Sequence, residues 1–407
     1  MKRGLFKLDQ PKLWTKDFFS VSLTNFFLYF IHYLLIASIT VFTVDKFHAS
    51  ASMSGLAAGI FIIGMLFGRL YSGKYIEIIG RKKMLFAGII FSIITILLYF
   101  TVTNLSLLLL VRFLHGIGFG IASTATGTIV ANVIPDKRRG EGTGYYALST
   151  TIASAVGPFV GIFINQYLGF KMNFVVCTVL IVISFLFALF LKVPKVEINK
   201  EQLNSLKGFK LSNFFEPKAL PISIVSIFIG ATYSSILSFL NTYAQQINLV
   251  DVASFFFIVY AIATLVSRPF TGRLFDNKGE NYVVYPSLII FAIGFLIISQ
   301  VHHGSMLLLS AVFIGIGYGS FIPSAQAIAV KVAPRNRMGL ATSTFFMFAD
   351  FGAGFGPFLI GFLIPVLGFT NLYIMMAIIV LAATVLYFFV HGRKKDNITS
   401  LQEETSR

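Results

Sequence analysis

The chain has 407 residues, of which 56% are hydrophobic and only 12% charged, with a mean hydropathy of +0.83. A soluble domain carries roughly a quarter charged residues, so this composition excludes a disordered chain and an ordinary soluble enzyme. The net charge of +16 would suggest nucleic acid in a soluble protein, but its placement here reports topology, and no nucleic-acid partner is expected.

In chain order, residues 1–17 form a basic segment with no short apolar core and cleavage site behind it, so the first apolar run reads as a retained helix. A first bundle, 18–193, carries apolar spans at 18–44, 53–78, 83–103, 105–134, 140–168 and 171–193. A polar linker follows at 194–217. A second bundle, 218–391, carries spans at 218–246, 252–277, 281–301, 305–333, 338–367 and 370–391, and 392–407 is a polar tail expected to be disordered. A backbone in lipid must satisfy its own hydrogen bonds, and these runs are far too long for barrel strands. The expectation is an all-α integral membrane protein of twelve transmembrane helices in two six-helix halves. The single cysteine, Cys177, excludes an internal disulfide or a cysteine-based metal cluster. No cofactor or metal is expected.

Basic residues set the orientation. They collect in the first segment (Lys2, Arg3, Lys7, Lys12, Lys16), after the second span (Arg81, Lys82, Lys83) and after the fourth (Lys137, Arg138, Arg139). In and beside the linker stand Lys192, Lys195, Lys200, Lys207, Lys210 and Lys218, and the tail adds Arg393, Lys394 and Lys395, whereas the opposite side shows Lys46 and Lys171. Positive loops mark the cytoplasmic face, which puts both termini and the linker inside.

The two halves repeat at one ungapped offset of 199 residues (268 less 69). Arg69, Gly73, Glu77 and Gly80 fall on Arg268, Gly272, Asp276 and Gly279; Gly116, Gly118 and Gly120 on Gly315, Gly317 and Gly319. Gly157-Pro158 falls on Gly356-Pro357, and Gly169-Phe170 on Gly368-Phe369. Like-oriented halves related about the membrane normal are an arrangement of transporters. A dinucleotide loop would need a strand before its glycines; GIGFG and GIGYG lie inside apolar spans, where close helix packing accounts for them.

These residues resemble the major facilitator superfamily, in particular its twelve-helix drug:proton antiporter branch, over essentially Lys16 to Gly392. The loop signature of that family, Gly-x3-Asp-Arg/Lys-x-Gly followed by two basic residues, is matched by Gly73 to Lys82, with Glu77 for Asp and Ile78 for a basic residue. Its second copy, Gly272 to Gly279, keeps Asp276 but lacks the trailing basic pair. The fourth-helix signature is matched by Arg112 to Gly118 with His115 in the glutamine position. The fifth-helix antiporter signature keeps Gly157, Pro158 and Gly161 but loses two glycines.

The resemblance implies that Gly73, Glu77, Gly80, Arg81 and Lys82, with Gly272, Asp276 and Gly279, gate the cytoplasmic side. Each acid would meet the positive end of a helix in the other half, near Gly339 and Gly140. It also implies that Arg112 lines the cavity and acts with His115 in proton movement, and that helices one, four, seven and ten surround that cavity. Asn25, Tyr29, His32, Tyr33, Tyr233, Asn241 and Gln326 are the matching candidates to touch a substrate. Gly157-Pro158 and Gly356-Pro357 read as hinges or tight interfaces. Asp350 is the acid placed deep in an apolar run, twelve residues or about 18 Å into its helix. A carboxylate there is a functional candidate for binding and releasing a proton; its structural alternative is a standing ion pair with Arg69.

The expected function is a secondary active transporter, moving small amphipathic compounds outward in exchange for protons, monomeric in a bacterial plasma membrane. A proton-coupled importer or dedicated metabolite exporter is the nearer alternative, and a receptor or lipid-handling scaffold the more distant one.

Overall fold

A computed structural model describes residues 12–49, 51–193 and 213–393. The first eleven residues, most of the linker (194–212) and the tail from 394 onward lie outside the described residues. The helices of the first half are α1 Lys16–Phe47, α2 Ala51–Ile79, α3 Arg81–Leu98, α4 Leu105–Val133, α5 Arg139–Leu168 and α6 Phe170–Phe190. The second half has α7 Leu220–Gln246, α8 Val250–Lys278, α9 Asn281–Ser299 and α10 Gly304–Lys331, followed by a helical run Met338–Tyr387. Gly368 interrupts that run with φ 68 and ψ 171, dividing it into α11 (338–367) and α12 (369–387). Twelve helices are thus present among the described residues, and apart from short 3-10 and π turns the rest is loop.

Local chemistry places the ends. The Thr15 hydroxyl accepts from the Phe18 amide at 3.1 Å and the Asn104 side chain from the Leu107 amide at 2.9 Å, capping α1 and α4. Gly80 and Gly279 both take φ of 99°, and Gly169 and Gly368 take 80° and 68°. A side chain rarely tolerates that region, so the 199-residue repeat extends to the backbone: both halves turn on glycine after their second and fifth helices.

Each half buries its own core. One apolar cluster runs from Leu13 to Leu191, the other from Ala219 to Tyr387. Large apolar side chains such as Phe159, Phe190, Phe270, Phe362 and Val366 are exposed, as suits a surface solvated by lipid. The glycine stripes set the spacing inside each half. A Cβ on Gly116 or Gly120 would stand 2.1 or 2.3 Å from the Phe61 or Met65 carbonyl of α2, and one on Gly118 2.6 Å from Ser92 of α3. Gly315, Gly317 and Gly319 repeat this against α8 and α9. The proline pairs also serve packing within a half: Gly157 meets Tyr33 and Leu34 of α1, and Gly356 meets Ala231 and Ser234 of α7. Neither Pro158 nor Pro357 interrupts its helix. The halves meet through α2 against α11 and α5 against α8.

Candidate functional site

Residues four apart share a helix face, and on α2 the series Arg69, Gly73, Glu77 faces α11, with Arg81 following at the start of α3. At its loop end Glu77 accepts from the Gly339 amide at 3.2 Å while pairing with Arg81 at 2.8 Å, and Arg81 donates to the Arg335 carbonyl at 3.1 Å. One step in, Gly73 admits Ser343, whose hydroxyl would be 2.4 Å from any Cβ placed there. Ser343 Oγ donates to the Arg69 carbonyl at 2.6 Å. At the inner end the Arg69 Nε and Asp350 carboxylate stand 2.6 Å apart, and the guanidinium lies 4.6 Å from the Phe346 ring centre. Lys82 instead ties α3 to the end of α6, donating to the Leu189 and Leu191 carbonyls.

The symmetric strip joins α8 to α5. Asp276 accepts from the Gly140 and Glu141 amides at 2.7 and 2.9 Å, at the start of α5 where the helix dipole favours an anion. Gly272 gives close approach, since its Cβ would lie 2.6 Å from the Glu141 Cα. The pseudo-equivalent pair Asp136 and Arg335 completes this loop-side layer at 3.3 Å.

Between the inner ends of the two strips lies a cavity of about 190 Å³. Its wall includes Asp350, whose side chain keeps 26% exposure while Arg69 behind it has none. Asn25, Tyr29, Tyr33, Tyr233 and Gln326 line the same space. Asn25 is fixed from all sides: its carbonyl oxygen accepts from Tyr146 at 2.7 Å and Thr126 at 3.1 Å, and its amide donates to Ser149 at 2.8 Å. The opposite wall is a tyrosine cluster, with Tyr233 stacked on Tyr318 at 3.8 Å and near Tyr260 at 5.7 Å. Fixed polar groups on an aromatic wall suit a compound with an apolar body and a polar end.

Other candidates sit elsewhere. His32 packs on Phe61 and Phe119, with ring centres 4.7 and 5.2 Å away, and does not line the cavity. The Asn241 side chain lies outside the described residues. Arg112, expected on the cavity wall, is instead fully buried between α4 and α2, donating to the Ala57 and Ala58 carbonyls at 2.9 and 3.4 Å. His115 lies beside it, 3.3 Å from the Tyr99 hydroxyl. Both belong to the packing of the first half. Sequence reasoning does not single out Arg268, Tyr146, Tyr260 or Tyr318 as cavity residues, yet all four line it. Of these only Arg268 carries a signal, as the repeat partner of Arg69.

A sequence model of the Major Facilitator Superfamily matches residues 21–283 and 250–406. An uncharacterised MFS-type transporter of Methanocaldococcus jannaschii is 26% identical over 336 residues, 80% of this chain and 85% of that protein. Multidrug resistance protein 2 of Bacillus subtilis is 25% identical over 360 residues, covering 86% of this chain and 89% of its own. Among solved structures, the human organic anion transporter MFSD10 superposes with a TM-score of 0.75 at 15% identity, over 91% of this chain and 98% of that one.

Proposed function

The chain belongs to the Major Facilitator Superfamily, and from that premise we propose that it exports small amphipathic compounds in exchange for protons, by alternating access. It is a multi-pass membrane transporter and not an enzyme. The finer reading puts the basic-loop side, with both termini, in the cytoplasm of a bacterial cell and lets one monomer suffice.

The observation that carries the proposal is the ion pair between Arg69 on α2 and Asp350 on α11, which bridges the halves at the cavity wall. Arginine keeps its charge in proteins, so the titrating partner is Asp350. With the carboxylate ionised, the pair holds α2 against α11 and supports closure on the basic-loop side. Protonation removes the charge that Arg69 faces, and the inner end of the strip loses its attraction. The acids at Gly339 and Gly140 act as a second, outer latch on the same closure. A proton arriving from outside thus favours opening inward, where cargo is taken up. Its loss to the cytoplasm restores the pair and turns the loaded cavity outward.

Everted membrane vesicles with an acidified lumen and a lumenal pH dye test this. A panel of amphipathic cations, anions, neutral drugs and metabolites is added to wild type and Asp350→Asn. The proposal requires lumenal proton release with at least one compound in wild type and its absence in the variant. Equal release in both removes Asp350 from the coupling, and no release in wild type removes proton exchange.

A further inference from the structure

The two strips differ at their inner ends. The first ends in Arg69 paired with Asp350; the second ends in Arg268, and the 199-residue offset puts Thr151 where an acid would stand. Arg268 and Thr151 both line the cavity. Arg268 is 3% exposed, and its Nε and Nη1 have no hydrogen-bond partner. Among the described residues no carboxylate lies within ion-pair distance of it. Gly144 leaves room beside its stem, since a Cβ there would come 3.6 Å from the Arg268 Cδ.

A buried charge is ordinarily paired, because removing it from water without a partner is very unfavourable. Asp350 and Arg69 cancel one another, so the cavity keeps one uncompensated positive charge. The guanidinium is a fork of donors matched to a carboxylate or a similar planar anion, and Tyr233, Tyr260 and Tyr318 offer an apolar face beside it. We infer that Arg268 is the anion-binding subsite of the cavity and that the cargo is an amphipathic organic acid. Its carboxylate takes the place of the acid missing at Thr151, and its apolar body lies against the tyrosine cluster. This inference rests on the export reading and names its substrate class.

The experiment compares binding of pyrenebutyric acid and of its methyl ester, two probes that differ in charge and little in shape. Pyrene fluorescence is read with the full-length protein in lipid nanodiscs, protein-free nanodiscs being subtracted. In wild type the acid should bind roughly tenfold or more tightly than the ester, the worth of a hydrogen-bonded charge. The acid-to-ester ratio should fall to near one in Arg268→Gln. It should fall likewise in Thr151→Asp, which retains the arginine and gives it a carboxylate partner, as Asp350 does for Arg69. A ratio near one in wild type, or a ratio that survives in both variants, overturns the inference. Because the readout is binding, its failure is separate from that of proton exchange, which the vesicle assay reports independently.

Discussion

Replacing Asp276 with Asn should loosen the closed basic-loop side by a calculable amount. The carboxylate accepts from two backbone amides, at 2.7 and 2.9 Å, at the first turn of α5. Hydrogen bonds to a charged group contribute about 1.5–3 kcal/mol each, but the side chain is only part-buried and Asn retains one acceptor. The helix-end charge contributes a further ~0.3–1 kcal/mol at such exposure. The net loss is therefore about 1–3 kcal/mol, a shift of roughly 5–150-fold in the ratio of closed to open states. Spin labels at Lys137→Cys and Asn277→Cys flank the latch from the two halves, and Cys177 is fully buried and out of the way. Their distance distribution should gain a longer population in Asp276→Asn. A distribution identical to that of the parent would refute the view that this acid holds the halves together.

Gly116→Ala should lower stability by about 1–3 kcal/mol, because its Cβ would lie 2.1 Å from a backbone carbonyl, while Gly59→Ala, with nothing within 4 Å, should stay within about 0.5 kcal/mol; thermal unfolding in nanodiscs separates them. Asp350→Asn should cost about 3–5 kcal/mol by leaving Arg69 charged and alone, and adding Arg69→Met should recover most of it; additive losses in the double variant would contradict a direct pair. Arg112→Met should destabilise by about 1–3 kcal/mol through its lost bonds to Ala57 and Ala58 yet keep compound-driven proton release in vesicles. Release abolished at unchanged stability would return Arg112 to the coupling machinery.

Periodicity and offset make much of this fold legible in one dimension. The meeting of Glu77 and Asp276 with the helix starts near Gly339 and Gly140 is what the family resemblance implies, and the positive dipole end of each helix gives it a physical reason. Asp350 stands out because an acid in a phenylalanine-rich run has few reasons to be there, but whether Arg69 reaches it depends on how α2 faces α11. Arg112 departs from expectation for a reason that the helix geometry explains. Residues 112, 116 and 120 share one face, and the two glycines commit that face to the α2 backbone. His32 departs for a different reason: seven residues after Asn25, it stands about 20° from it around α1, and the Phe61 and Phe119 rings of α2 and α4 pack over it. Arg268 is visible in the repeat, but its lack of a partner emerges only when Thr151 occupies the position of Asp350. Tyr260 and Tyr318 give no signal among 16 tyrosines.

Protonation of Asp350 should release the halves on the basic-loop side, and distance measurements across that closure read this step directly. Spin labels at Lys83→Cys and Asn336→Cys bracket the outer end of the α2–α11 strip, and their separation is followed as the pH is lowered, in otherwise wild-type protein and in Asp350→Asn. A progressive lengthening is expected in the former, and in the latter a distance that no longer follows pH. The same pH-dependent lengthening in both proteins would show that the halves part without any proton on Asp350.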